Sequence, residues 1–182
     1  MPAKKQEFWK QSFPMVLLTI VVAVCVGLLT YVDSITREKI RAQEEGAIKT
    51  LLTEMFPEMS RYEELKDDIY AVYSDGSQLG YAFLAIGKGY GGDINILVGL
   101  SEATTVKGIK IISQTETPGL GTRVTEPFFT DQFAGIAIED IALSQDGGKI
   151  DAITSSTISS SAVVDAVRAT AMEKVKQLEG GD

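Results

Sequence analysis

Seven of the eight residues from Thr154 to Ser161 carry a hydroxyl, and the block lies between a β-like run and an amphipathic helical pattern. A helix beginning there presents unpaired backbone N–H groups and the positive end of its dipole, and both attract phosphate. The hydroxyls of Thr154, Ser155, Ser156 and Thr157 add further donors. One Ser or Thr at a helix start is also an ordinary N-cap, so an over-provided cap is the competing reading. Two glycine-rich stretches stand upstream, Gly87-Lys88-Gly89-Tyr90-Gly91-Gly92-Asp93 and Glu116-Thr117-Pro118-Gly119-Leu120-Gly121. Taken alone, each reads as a turn. The first holds Gly-x-Gly-x-x-Gly only as Gly87, Gly89 and Gly92, without the βαβ context of a dinucleotide fingerprint. In the second, glycines permit positive φ and let the backbone approach a flat ligand closely.

Missing side chains narrow the chemistry further. The chain has no histidine, and its single cysteine, Cys25, lies in an apolar run where it reads as a small core residue. A Ser-His-Asp triad, histidine-held zinc or haem, and cysteine-held iron–sulfur clusters all need groups that are not there. A hard cation held by carboxylates stays open, but no metal site is expected. Seventeen Lys and Arg against 25 Asp and Glu leave a formal charge of −8, which gives nucleic acid no reason to approach. No disulfide can form within the chain, so cysteine is silent about compartment.

The elements that must position these residues begin with a membrane segment. No charge occurs from Gln11 to Val32, a length that reaches about 30 Å as a helix. Twelve Leu, Ile, Val or Phe between Phe13 and Val32 favour insertion by about 4 to 7 kcal/mol. Pro14 is expected in the first turn, where proline costs little. The run is longer than a signal-peptide core and no small-x-small cleavage site follows it, and Val24 before Cys25 argues against lipidation. Lys4, Lys5 and Lys10 before the span balance Arg37, Lys39 and Arg41 after it, and the terminal amine tips the N-terminus inward. Everything after Asp33 is therefore expected outside, as the soluble part of a single-pass inner-membrane protein.

Beyond the span, Asp33 or Ser34 is expected to cap a stalk helix with Ile40, Ala47, Ile48, Leu51, Leu52 and Met55 on one side, ending at Pro57. Alternation predicts strands at Ile69 to Tyr73 and Leu79 to Ile86, joined by an Asp75-Gly76 hairpin. Further strands are expected at Ile94 to Gly99, Val106 to Ile112, Ile136 to Leu143 and Lys149 to Ile153, with a turn at Gln145 to Gly148 between the last two. A helix is expected around Glu126 to Phe133. A final helix starting near Thr157 carries Val164, Val167, Ala171, Val175 and Leu178 and stops at Gly180-Gly181. The pattern describes an α+β domain, a mostly antiparallel sheet with flanking helices, preceded by one transmembrane helix. The expected divisions are a cytoplasmic N-terminus over 1–11, the membrane helix over 12–32, the stalk over 33–57 and the ligand-binding domain over 58–182.

Three segments in one order carry a family resemblance: Gly89-Tyr90-Gly91-Gly92, Glu116-Thr117-Pro118-Gly119-Leu120-Gly121, and Asp151-Ala152-Ile153-Thr154-Ser155-Ser156-Thr157-Ile158-Ser159. The chain resembles the FMN-binding domain shared by the G subunit of the Rnf electron-transport complex and the C subunit of the sodium-pumping NADH:quinone reductase. Its short length is closer to the Rnf protein. In that family the acceptor block usually reads Ser/Thr-Gly-Ala-Thr, and a separate flavin transferase esterifies the last threonine with the FMN phosphate. The resemblance puts that ester on Thr157, with Ser155 and Ser156 standing where the family has glycine and alanine. It implies phosphate contacts from Thr154, Ser155 and Ser156, a role in attachment for Asp151, and Glu116, Thr117, Gly119, Leu120 and Gly121 beside the isoalloxazine. Tyr90 either stacks on the ring or belongs to the core. The implied protein is a redox subunit that relays electrons among other subunits of an ion-translocating ferredoxin:NAD oxidoreductase. Alternatives are the C subunit of the quinone reductase, with the same sites, or a membrane-tethered module that holds a phosphate ligand non-covalently.

Overall fold

The computed structural model describes residues 3–65, 68–102 and 104–179, apart from the side chains of 3–13, 34–35, 37–45, 47, 102 and 179. Two units are each compact, Met1–Gly46 and Ala47–Asp182, and their boundary falls inside helix α1 (Ala3–Met55). Within the first unit, Pro14–Asp33 is long and apolar enough to cross a membrane, with a mean hydropathy of 2.7. Hydroxyls along this stretch are satisfied internally: Thr19 donates to Met15 O and Thr30 to Val26 O, each at 2.9 Å. Two expectations are corrected here. Pro14 is inside the helix rather than in its first turn, because the preceding residues, Ala3 onward, are also helical. Nor does a second helix start at Asp33 or Ser34; α1 continues to Met55, since no proline or glycine lies between Val32 and Gly46 to end it. Ile40, Arg37, Lys39 and Arg41 fall where side chains lie outside the described residues.

The second unit is a five-stranded antiparallel meander, ordered β1-β2-β3-β4-β5: β1 (Arg61–Glu64), β2 (Ile69–Ser74), β3 (Ser77–Lys88), β4 (Asp93–Glu102) and β5 (Thr105–Ser113). The β2–β3 turn holds Asp75 at φ 45° and Gly76 at φ 90°, the two positive values that a tight hairpin turn demands. The β3–β4 turn is the glycine stretch, closed by Gly89 N–H donating to Gly92 O at 2.9 Å. Alternation assigns the two faces. Phe83, Ala85, Ile94, Ile96, Val98, Leu100, Val106 and Ile109 pack beneath the last helix, α3 (Thr157–Glu179), through Val163, Val164, Val167 and Ala171. Tyr70, Val72, Ala82 and Leu97 on the opposite face meet Ile48, Leu52, Met55 and Phe56. The apolar side expected for the stalk is therefore real where it is described. Fully buried Phe56, Phe83, Phe129 and Phe133 each contribute about 2–3 kcal/mol of apolar burial.

Two expected strands do not form. Ile136 to Leu143 contains a 3-10 turn at Ile138–Asp140, and Lys149 to Ile153 contributes only a single parallel bridge, Leu143 to Ile150. Ile138, Ile141, Leu143, Ile150 and Ile153 still bury into the main core. Their apolar spacing reflects a coil that plugs the space under α3, not a ladder. The helix expected around Glu126 is short, α2 (Pro127–Thr130), flanked by 3-10 turns at Gly121–Thr125 and Asp131–Phe133. The Gly180-Gly181 stop lies outside the described residues.

Candidate functional site

Three segments meet at one end of the sheet: the β3–β4 glycine turn, the loop after β5, and the first turn of α3. They enclose a cleft of about 410 Å³ lined by Tyr90, Glu116, Thr117, Leu120 and Gly121 on one side and Ser155 through Ser159 on the other. A volume of that order falls in the range of small-molecule sites. Tyr90 is 75% exposed at the mouth, so it is not a core residue.

The α3 side of the cleft is set by the chain entering the helix. Ser155 takes φ 66°, a left-handed conformation that a non-glycine residue adopts at a cost, and it reverses the chain so that Thr157 can open α3. Ser160 stitches the reversal, accepting from Ile153 N–H and donating to Ser156 O, both at 3.0 Å. Ser156 occupies the capping position but makes no capping bond. It is 6% exposed and lines the cleft, and among the described residues its hydroxyl has no partner. The amides of Thr157, Ile158 and Ser159 are also unpaired among the described residues, as expected for the first turn of a helix. Thr157 itself is exposed. This set of free donors suits the oxygens of a phosphate group better than a plain cap does.

The opposite side is organised by Glu116, buried at 5% exposure. Its Oε1 accepts the Gly91 N–H at 2.7 Å, its Oε2 accepts the Ser159 hydroxyl, and its own N–H donates to Gln114 Oε1 at 2.6 Å. Gly119, at φ 76°, turns the loop, and its N–H donates to Thr122 Oγ1 at 3.0 Å.

Of the residues singled out from sequence, Tyr90, Glu116, Thr117, Leu120, Gly121, Ser155, Ser156 and Thr157 share the cleft. Gly119, Thr154 and Asp151 do not line it. Asp151 is exposed and faces another network, accepting from Ser144 Oγ at 2.6 Å, while its N–H donates to Gln132 Oε1 at 2.7 Å. Two lining residues were not singled out, Ile158 and Ser159. Ser159 belongs to the hydroxyl block, but its bond to a carboxylate 43 residues away leaves no trace in local pattern.

The profile of the FMN-binding domain matches residues 89–171, from the glycine turn to within α3. The G subunit of the ion-translocating oxidoreductase complex of Methanosarcina acetivorans is 33% identical over 178 residues, covering 91% of this chain and 94% of that one. Its counterpart in Pasteurella multocida is 28% identical over 187 residues, covering 90% and 93%. Among solved structures, NqrC of Shewanella oneidensis is similar at a TM-score of 0.49 and 19% identity, covering 68% of this chain and 74% of its own.

Proposed function

Because the chain belongs to the family of G subunits of ion-translocating oxidoreductase complexes, we propose that it is a membrane-anchored electron-transfer subunit carrying FMN, bound covalently through the flavin phosphate to Thr157. The observation that carries this reading is the setting of Thr157. It is the exposed first residue of α3, on a cleft wall that also offers the Ser156 hydroxyl and three amides, none of them paired among the described residues. In this reading Ser155, Ser156 and the amides of Thr157 to Ser159 donate to the phosphate oxygens. Thr157 Oγ1 would form the bond to phosphorus and give up its proton as the anhydride bond of an activated flavin nucleotide breaks, the remaining phosphate-bearing half leaving as a nucleoside monophosphate, with no change of oxidation state. A separate flavin transferase performs that step, and exposed Asp151, outside the cleft, serves attachment rather than redox chemistry.

Bound there, FMN supplies reversible electron transfer on its ring, which attachment through the phosphate leaves unmodified. The chain's part is to hold and surround it. Thr117, Leu120 and Gly121 offer the ring a wall, with Leu120 at 48% exposure and Tyr90 at the mouth, where a redox partner has access. We further propose that other subunits of a ferredoxin:NAD complex donate and accept the electrons. The Pro14–Asp33 stretch anchors the chain in the inner membrane as a single pass, with the Ala47–Asp182 unit outside.

The test is direct. The full chain, co-expressed with a flavin transferase, is boiled in detergent, run on a gel and viewed under ultraviolet light. A fluorescent band at its mass that disappears in Thr157→Ala is expected. A dark parent band defeats the covalent flavoprotein reading in favour of a non-covalent phosphate-ligand module, and a band persisting in Thr157→Ala moves the acceptor elsewhere.

A further inference from the structure

We propose that Glu116 is a positioning residue for flavin attachment: its buried carboxylate clamps the first turn of α3, and with it Thr157, to the Gly89–Gly92 turn across the cleft. The proposal rests on the attachment reading above. A carboxylate at 5% exposure must have donors for its oxygens, and Glu116 uses one oxygen for each side of the cleft. Oε1 accepts from Gly91 N–H at 2.7 Å and Oε2 from the hydroxyl of Ser159, two residues beyond Thr157 in the same helical turn. Among the described residues, no other side-chain hydrogen bond joins any two of the three segments that line the cleft.

The glycines fit this role. A Cβ on Gly89 would overlap Glu116 Oε1, and one on Gly121 would overlap Oε2 while lying 2.7 Å from Glu116 Cβ and 2.8 Å from Ser159 Oγ. Backbone from both loops thus closes directly onto the carboxylate. The glycine pattern that reads locally as turns is the shape of a socket. A side chain with only one hydrogen-bonding atom could tie only one wall.

The experiment follows covalent flavin per protein against time, by in-gel fluorescence of the full chain co-expressed with a flavin transferase. Glu116→Ala is expected to slow loading by at least about tenfold, since misplacing a reacting group by an ångström costs on the order of 100-fold. Glu116→Gln is expected to load within about threefold of the parent, because its carbonyl still accepts from Gly91 and its amide donates to the Ser159 oxygen. Ser159→Ala, which cuts only the α3 arm, is expected to slow loading alone but to add nothing in the Glu116→Ala background. Loading by folded Glu116→Ala at the parent rate overturns the clamp, and so does Glu116→Gln falling as far as alanine. If Glu116→Ala does not fold, parent-rate loading by Ser159→Ala overturns it equally. A parent chain that never fluoresces defeats the attachment reading and the clamp together, whereas a fluorescent parent matched by Glu116→Ala defeats the clamp alone.

Discussion

Ser155 stands where the family's acceptor block usually has glycine, and its φ of 66° supplies the physical reason for glycine there. Holding a non-glycine residue in the left-handed region costs about 1–2 kcal/mol. Glycine removes that cost but loses about 0.5–1 kcal/mol through the greater freedom of the unfolded chain. Ser155→Gly should therefore stabilise the protein by about 0.5–1 kcal/mol net. Over the Ala47–Asp182 unit, an unfolding entropy near 2.1 cal/mol/K per residue amounts to about 0.3 kcal/mol/K, so the melting temperature rises by about 2–3 °C. Ser155→Val tests the same strain from the other side, since a β-branched residue tolerates positive φ least; it should lose about 1 kcal/mol relative to the parent. The assay is thermal unfolding of the full chain in detergent, followed by circular dichroism. A Ser155→Gly variant melting at or below the parent, or a Ser155→Val variant melting with it, would refute the argument that this residue is strained.

Two glycine substitutions should separate rigid from yielding neighbours. At Gly91 a Cβ would overlap the backbone carbonyl of Thr115, so Gly91→Ala should destabilise by about 2–3 kcal/mol, while at Gly99 it meets the flexible Met55 thioether and should cost about 1 kcal/mol, both read from denaturant midpoints. For topology, protease added outside intact cells should remove the Ala47–Asp182 unit and leave a membrane-bound fragment containing Pro14–Asp33; full protection would invert the proposed orientation.

Much of the architecture was legible because it rests on local rules. The apolar run to Val32 announces, by length alone, a helix long enough to cross a membrane. Asp75-Gly76 between two alternating runs announces a hairpin, and the heptad-like recurrence of Val164, Val167 and Ala171 announces the helix that covers the sheet. Where periodicity served two masters, it misled. Ile136, Ile138, Ile141 and Leu143 are apolar because they fill the core, and filling a core does not require a ladder. The edge strand Arg61–Glu64 escaped notice for the opposite reason: only Tyr62 among its residues is partly buried, so no alternation marks it. The extent of α1 was hidden because Asp33 and Ser34 are caps only when the chain before them is not helical.

At the site, residue types marked the hydroxyl block as a set of donors at a helix start, and the family resemblance carried by the order of the three segments pointed to both glycine stretches and to Thr157. Only the folded chain decided which of those residues meet. It turned Asp151 and Thr154 away from the cleft, raised Tyr90 to its mouth, and brought the Glu116 carboxylate between Gly91 and Ser159. Local pattern reports what a segment can become. Partnership across 25 and 43 residues depends on how β3, β4, β5 and α3 stack, and that is fixed by the packing of the whole core.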